Sequence, residues 1–130
     1  MARWSSCRPA ALTIYAPCEW EATDGRFVDN GRGRRWTENP GYYANVLHER
    51  FAAASGATPF ADLRGVVALG ATICAGRGFH ARNTLIADAA THMIAFSWSD
   101  DSAPDRGGTR NTWDKCTAAH KVHVPMASLQ

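Results

Sequence analysis

The sequence predicts an α/β fold, a Rossmann-like, mostly parallel sheet flanked by helices, in a single domain over residues 1–130. Three observations lead there. Apolar runs of strand length alternate with segments of helical periodicity. The run His92-Met93-Ile94-Ala95-Phe96-Ser97-Trp98 is apolar at nearly every position, the pattern of a central strand buried on both faces. A polar loop and two glycines follow it and feed a helix, the order found where open α/β sheets bind ligands.

In chain order, Ala10 to Ala16 is the first strand, ended by Pro17. Residues 18–40 turn polar, glycine-rich and basic with no apolar period, so they read as one long loop. Gly41 to Ala54 is the clearest helix. Tyr42, Tyr43, Val46, Leu47, Arg50, Phe51 and Ala54 keep i, i+3, i+4, i+7 spacing, Asn39 and Pro40 open it, and Gly56 closes it. Residues 59–75 admit two readings, a helix over Pro59–Leu69 or a strand at Val66–Leu69. Phe79 to Ala89 is helical and carries Arg82 and Asn83 near its start. After the strand at His92–Trp98 and the loop Ser99–Arg106, a helix runs from Thr109, its N-cap, to Ala119. Lys121–Val124 is the last strand, stopped by Pro125.

Composition narrows the function classes. Hydrophobic residues make up 45% and charged residues 20%, values of an ordinary soluble globular domain. A formal net charge of +2 is too small to argue for nucleic acid by itself. The longest apolar runs fall short of a membrane span, so no membrane partner is expected. The N-terminal segment lacks an apolar signal core, which predicts a cytoplasmic location. Cys7, Cys18, Cys74 and Cys116 form no CxxC pair and read as free thiols. Cys116, His120 and His123 are close in sequence but lack the spacing of a zinc motif, so no metal site and no resident cofactor are expected.

Gly107, Gly108 and Thr109 carry the best functional signal. A loop at a strand's C-terminal edge that opens a helix offers unpaired N–H groups and the positive end of the helix dipole to a phosphate. Arg82 suits a phosphate or carboxylate bidentately, the bland alternative being an ion pair with Asp62 or Asp88. Asn83 fits a ribose or base edge, or a local backbone cap. Trp98, at the strand's end, is placed to stack on a base. Asp100 and Asp101 are weak candidates for a catalytic carboxylate; most loop acids of this kind are only solvated. The run Gly31-Arg32-Gly33-Arg34-Arg35-Trp36 has the makings of a single-strand nucleic-acid arm, though a solvated loop is the preferred reading. Sequence order alone assembles no Ser-His-Asp or Cys-His arrangement.

Arg82-Asn83, Leu85-Ile86, His92 to Phe96, then Gly108-Thr109 opening a helix and the strand Lys121–Val124, in that order, resemble the SLOG superfamily. That group takes in LONELY GUY phosphoribohydrolases, relatives of the DNA-processing protein A and other nucleotide-binding Rossmann-like domains. The resemblance covers residues 82–124 and implies a nucleotide or nucleotide-derivative ligand, with its phosphate at Gly107–Thr109 and Arg82 as counter-charge. The family's phosphoribohydrolase signature PGGxGTxxE is met here by Asp105-Arg106-Gly107-Gly108-Thr109-Arg110-Asn111-Thr112, so Thr112 stands where that signature has glutamate. Family members also begin with a strand, a glycine turn and a helix before a strand such as Leu12–Ala16, so a truncated, minimal or permuted version is expected. Nucleotide binding is therefore the first expectation. A nucleotide N-glycosidase or phosphoribohydrolase with a relocated acid is the alternative, and single-stranded nucleic-acid binding through the Arg32–Arg35 arm a second. Pairing of two chains to complete the site around Arg82 stays open.

Overall fold

The computed structural model describes residues 12–129, so Cys7 and the first two residues of the expected Ala10–Ala16 strand lie outside the described part. Among the described residues the architecture is mixed α/β, with four α-helices and short strand pairs. The chain divides into two compact units, residues 1–78 and 79–130.

In the first unit, β1 (Thr13–Ala16) pairs in parallel with β4 (Thr72–Ala75), with Thr13 opposite Thr72 and Ala16 opposite Ala75. Between them lie a hairpin and two helices. The hairpin corrects the expectation of one long loop over 18–40. β2 (Trp20–Glu21) and β3 (Arg26–Phe27) pair antiparallel, although two residues each are too few to show alternation in sequence. An aromatic cluster holds it. Trp20 meets Phe27 edge to face at 5.1 Å between centroids, and His48 stacks against Phe60 at 5.3 Å. Asn45 completes it from the helix side, its Oδ1 accepting from Phe27 N at 3.0 Å and its Nδ2 donating to Phe27 O at 2.9 Å.

The helix α1 (Pro40–Ser55) begins and ends where its caps are legible. Asn39 Oδ1 accepts from Tyr42 N, Pro40 occupies the first turn, and Gly56 closes the helix in the left-handed region at φ 71°. Gly41 is required for a different reason. A Cβ there would sit 1.8 Å from the carbonyl oxygen of Val28, so only glycine lets the helix approach the strand exit. Of the two readings for 59–75, the helix is found: α2 (Pro59–Ala68), followed by the β4 strand.

The second unit holds α3 (Phe79–Ala89), β5 (His92–Ser97), α4 (Gly107–Lys115), β6 (His120–Pro125) and a 3-10 turn at Met126–Leu129. β5 and β6 are parallel, Ala95 opposite His123 and Ser97 opposite Pro125, with α4 as the crossover. Met93, on the inward face of β5, joins Ala87 of α3 and Cys116 in a small core completed by Ala90, Trp113 and Ala118. The expectation that this strand is buried on both faces is corrected. Met93 and Ala95 are buried, whereas Ile94 and Phe96 between and beyond them are exposed, because the small core with Ala87 and Trp113 lies on the Met93 face of the strand.

The start of α4 also differs from expectation. The N-cap position is Arg106, which makes no side-chain capping bond, and not Thr109. Gly107 takes φ 79°, the turn that brings the chain from the loop into the helix, so the helix opens two residues before Thr109. It ends at Lys115 and not at Ala119, because Cys116 is already extended (φ −73°, ψ 122°). No described helix is long and apolar enough to cross a membrane.

Candidate functional site

The second unit brings together Arg82, Asn83, Gly108 and Thr109 of the sequence-selected residues. With Ile86, Thr112 and the β5 residues Met93 to Phe96, they line a groove of about 490 Å³. Two helix starts build its polar end. α3 supplies Arg82 and Asn83 from its first turns, and α4 supplies Gly108 and Thr109 from its own.

Asn83 organises this end. It is 2% exposed and its amide is saturated. Its Oδ1 accepts from Arg82 Nε at 3.1 Å and Nη2 at 2.7 Å. Its Nδ2 donates to Asn111 Oδ1 at 3.2 Å and, more weakly, to Gly108 O at 3.4 Å. In this geometry Asn83 has no hydrogen-bonding capacity left for a ligand. It holds the guanidinium and ties α3 to the start of α4.

Arg82 is the exposed half of that arrangement. The two bonds to Asn83 leave Nη1 without an acceptor among the described residues, and the guanidinium lies 5.3 Å from the Phe79 ring centroid. Asp88 does not pair with it; among the described residues the ion pairs are made by Arg26, Arg35, Arg106 and Arg110. Burial alone draws its pKa below the ordinary arginine value. A Cβ at Gly108 would lie 3.8 Å from Arg82 Nη2, so the cation sits against the opening turn of α4. That turn contains no acidic residue. A half-buried guanidinium therefore meets the positive end of a helix dipole with no carboxylate between them. The arrangement favours any anion that enters the groove.

Gly107, Trp98, Asp100 and Asp101 do not line the groove. Trp98 is 67% exposed beyond the end of β5. Asp101 contributes through its backbone: its carbonyl oxygen accepts from His123 Nδ1 at 2.8 Å. The other ring nitrogen of His123 lies 2.8 Å from Ser97 Oγ, a contact sequence order gave no means of finding. The Arg32–Arg35 segment is exposed but tied down at its base by Asn39, which is 1% exposed. Asn39 Nδ2 donates to Asp29 Oδ1 and to Gly33 O, and Gly31 N donates to Asp29 Oδ1 at 2.8 Å. The Asn39 amide, then the Gly31 N–H, hold the Asp29 carboxyl below its usual range against a small opposing effect of burial. No described group of His, Cys, Asp and Glu side chains is arranged to hold a metal, and Cys18, Cys74 and Cys116 are free thiols.

Comparison with known proteins adds one relative. The uncharacterized protein R261 of Acanthamoeba polyphaga mimivirus is similar to this chain, 30% identical over 119 residues. The match takes in 91% of this chain and 59% of that protein's length. The chain thus spans about three fifths of the relative it matches. No family model matches the sequence, and no solved structure matches the fold.

Proposed function

We propose that the second unit binds a small anionic ligand, a nucleotide or nucleotide derivative, with its phosphate between Arg82 and the Gly107–Thr109 opening of α4. One observation carries this reading: a half-buried guanidinium clamped by Asn83, beside a helix N-terminus, with no acidic residue in that helix's first turn and no ion pair to Arg82 among the described residues. A phosphate answers both positive features, and a groove of about 490 Å³ has the size of a small-molecule site. The helix end alone contributes about 0.3–1 kcal/mol. Micromolar binding needs about 8 kcal/mol, so Arg82 and the apolar wall from Ile86 to Phe96 must supply the larger share. The β5–α4–β6 crossover, two parallel strands joined by a helix, is the unit from which Rossmann-like sheets are built and supports that finer reading of the fold.

The test is a thermal-shift series with inorganic phosphate, nucleoside mono- and diphosphates, NAD and ADP-ribose. A ligand at one hundred times its dissociation constant adds about 2.7 kcal/mol to the folded state, several degrees in midpoint for a chain of this size. The shift is expected with one phosphate class and is expected to vanish in Arg82→Ala. No shift with any of them sinks the reading.

A further inference from the structure

We propose that Ser97 and His123 form a nucleophile–base pair that takes acyl groups from small carboxylic esters or thioesters. The hydrogen bonds fix the protons. The Asp101 carbonyl oxygen can only accept, so His123 Nδ1 carries the hydrogen and donates to it at 2.8 Å. In the neutral ring Nε2 is then the acceptor, and the Ser97 hydroxyl at 2.8 Å must be its donor. Ser97 Oγ also accepts from Ser99 N at 3.3 Å, which leaves its proton directed at the imidazole. A nucleophile bonded to a base that a third group orients is the arrangement hydroxyl activation requires, here with a backbone carbonyl as the orienting group. The Trp113 ring, edge-on to His123 at 6.4 Å, adds a packing contact that limits ring rotation.

The pair exists because of strand register. Ala95 stands opposite His123, so Ser97 is its diagonal neighbour two residues along, on the same face of the sheet as Met93 and Ala95. Ser97 lies roughly 7 Å beyond Ala95 toward the C-terminal end of β5. Ala95 lines the groove and Ser97 is partly exposed past it. Ser97 and His123 share no residue with the Arg82 clamp, and the inference stands whether or not an anion binds there.

In the reaction, Ser97 Oγ bonds to the acyl carbon as its proton passes to His123 Nε2. The bond from acyl carbon to the leaving oxygen or sulfur breaks, and that atom takes the proton from Nε2. Water then bonds to the acyl carbon, giving a proton to Nε2. The Ser97 ester bond breaks, Oγ recovers the proton, and the carboxylic acid leaves with no change of oxidation state.

The full-length chain mixed with p-nitrophenyl acetate is expected to release nitrophenolate in a burst and to carry an acetyl group that peptide mass spectrometry locates at Ser97. Ser97→Ala is expected to abolish that burst, and His123→Gln to slow acylation about 100-fold or more. Ser97→Cys keeps a nucleophile at the same place and is expected to acylate, which separates lost chemistry from lost folding. Acetyl groups confined to lysine or cysteine, at a rate Ser97→Ala does not alter, would overturn the proposal and leave the pair as a clamp between the 99–106 loop and β6.

Discussion

Asn83→Asp is the sharpest perturbation of the anion site, because it supplies the missing counter-charge without changing the side chain's shape. In the native protein a neutral amide oxygen holds Arg82 at 2.7 Å and 3.1 Å, and the guanidinium keeps its full charge for the groove. A carboxylate in that place puts a negative charge about 4 Å from the guanidinium carbon, a pair worth about 4 kcal/mol at an effective dielectric constant near 20. Desolvation offsets much of this. If a third to a half survives, the field offered to an incoming anion falls by about 1.4–2 kcal/mol, roughly 10- to 30-fold in the dissociation constant. The fold survives the exchange. At Gly108 O, 3.4 Å away, a carboxylate oxygen replaces the donor at a cost of about 1–3 kcal/mol, while Asn111, whose Oδ1 also lies 3.4 Å from His80 Nδ1, can turn its amide to donate at 3.2 Å. Titration calorimetry with the phosphate ligand found in the thermal-shift series reads the affinity, and circular dichroism reads the fold. A folded Asn83→Asp protein that binds its anion as tightly as the native chain would refute the argument that Arg82 lacks a counter-charge.

Other outcomes follow from the first unit. Gly41→Ala is expected to lose about 3 kcal/mol or more, since its Cβ would sit 1.8 Å from the Val28 carbonyl oxygen; the midpoint of urea unfolding checks it. The Asp29 carboxyl is held below its usual range, so the stability it lends is present above the ordinary carboxylate value and is lost as pH falls through its lowered value in the folded state. Hydrogen exchange at Gly31 N–H is expected to quicken in acid relative to the intrinsic rate, and Asp29→Asn to remove that dependence. Burial pushes the Cys18 thiol up, with a backbone hydrogen bond from Val28 opposing and Glu19 adding slightly. Alkylation of Cys18 by iodoacetamide near pH 8 is therefore expected to be slower than that of a fully solvated thiol such as glutathione.

What the sequence disclosed depended on how local the cause was. The α1 helix is legible because its caps and periodicity lie within a few residues of one another: Asn39, Pro40 and Gly56 bracket it. The β2–β3 hairpin is not, because His48, Phe60 and Asn45 hold it from elsewhere in the chain. Thr109 has the chemistry of an N-cap, yet the positive φ at Gly107 starts the helix earlier, and backbone dihedrals are not written in a composition pattern. The Arg82 groove is half legible. The residue types and their order pointed to its lining, but the role of Asn83 as a saturated clamp depends on α3 and α4 lying side by side. Ser97 and His123 are 26 residues apart and meet through a diagonal of the β5–β6 register, which no spacing rule anticipates.

The two bonds from Asn45 to Phe27 reach further than the hairpin they complete. A two-residue strand ends in main-chain groups that any extended segment can pair with, the template from which chains join edge to edge and aggregate. Here the amide of a helical residue occupies both the N–H and the C=O of Phe27, as a neighbouring strand would. A side chain thus denies a foreign backbone its foothold at that residue. Asn45→Leu reopens it, so self-association on storage is a hazard of that variant distinct from any loss of stability.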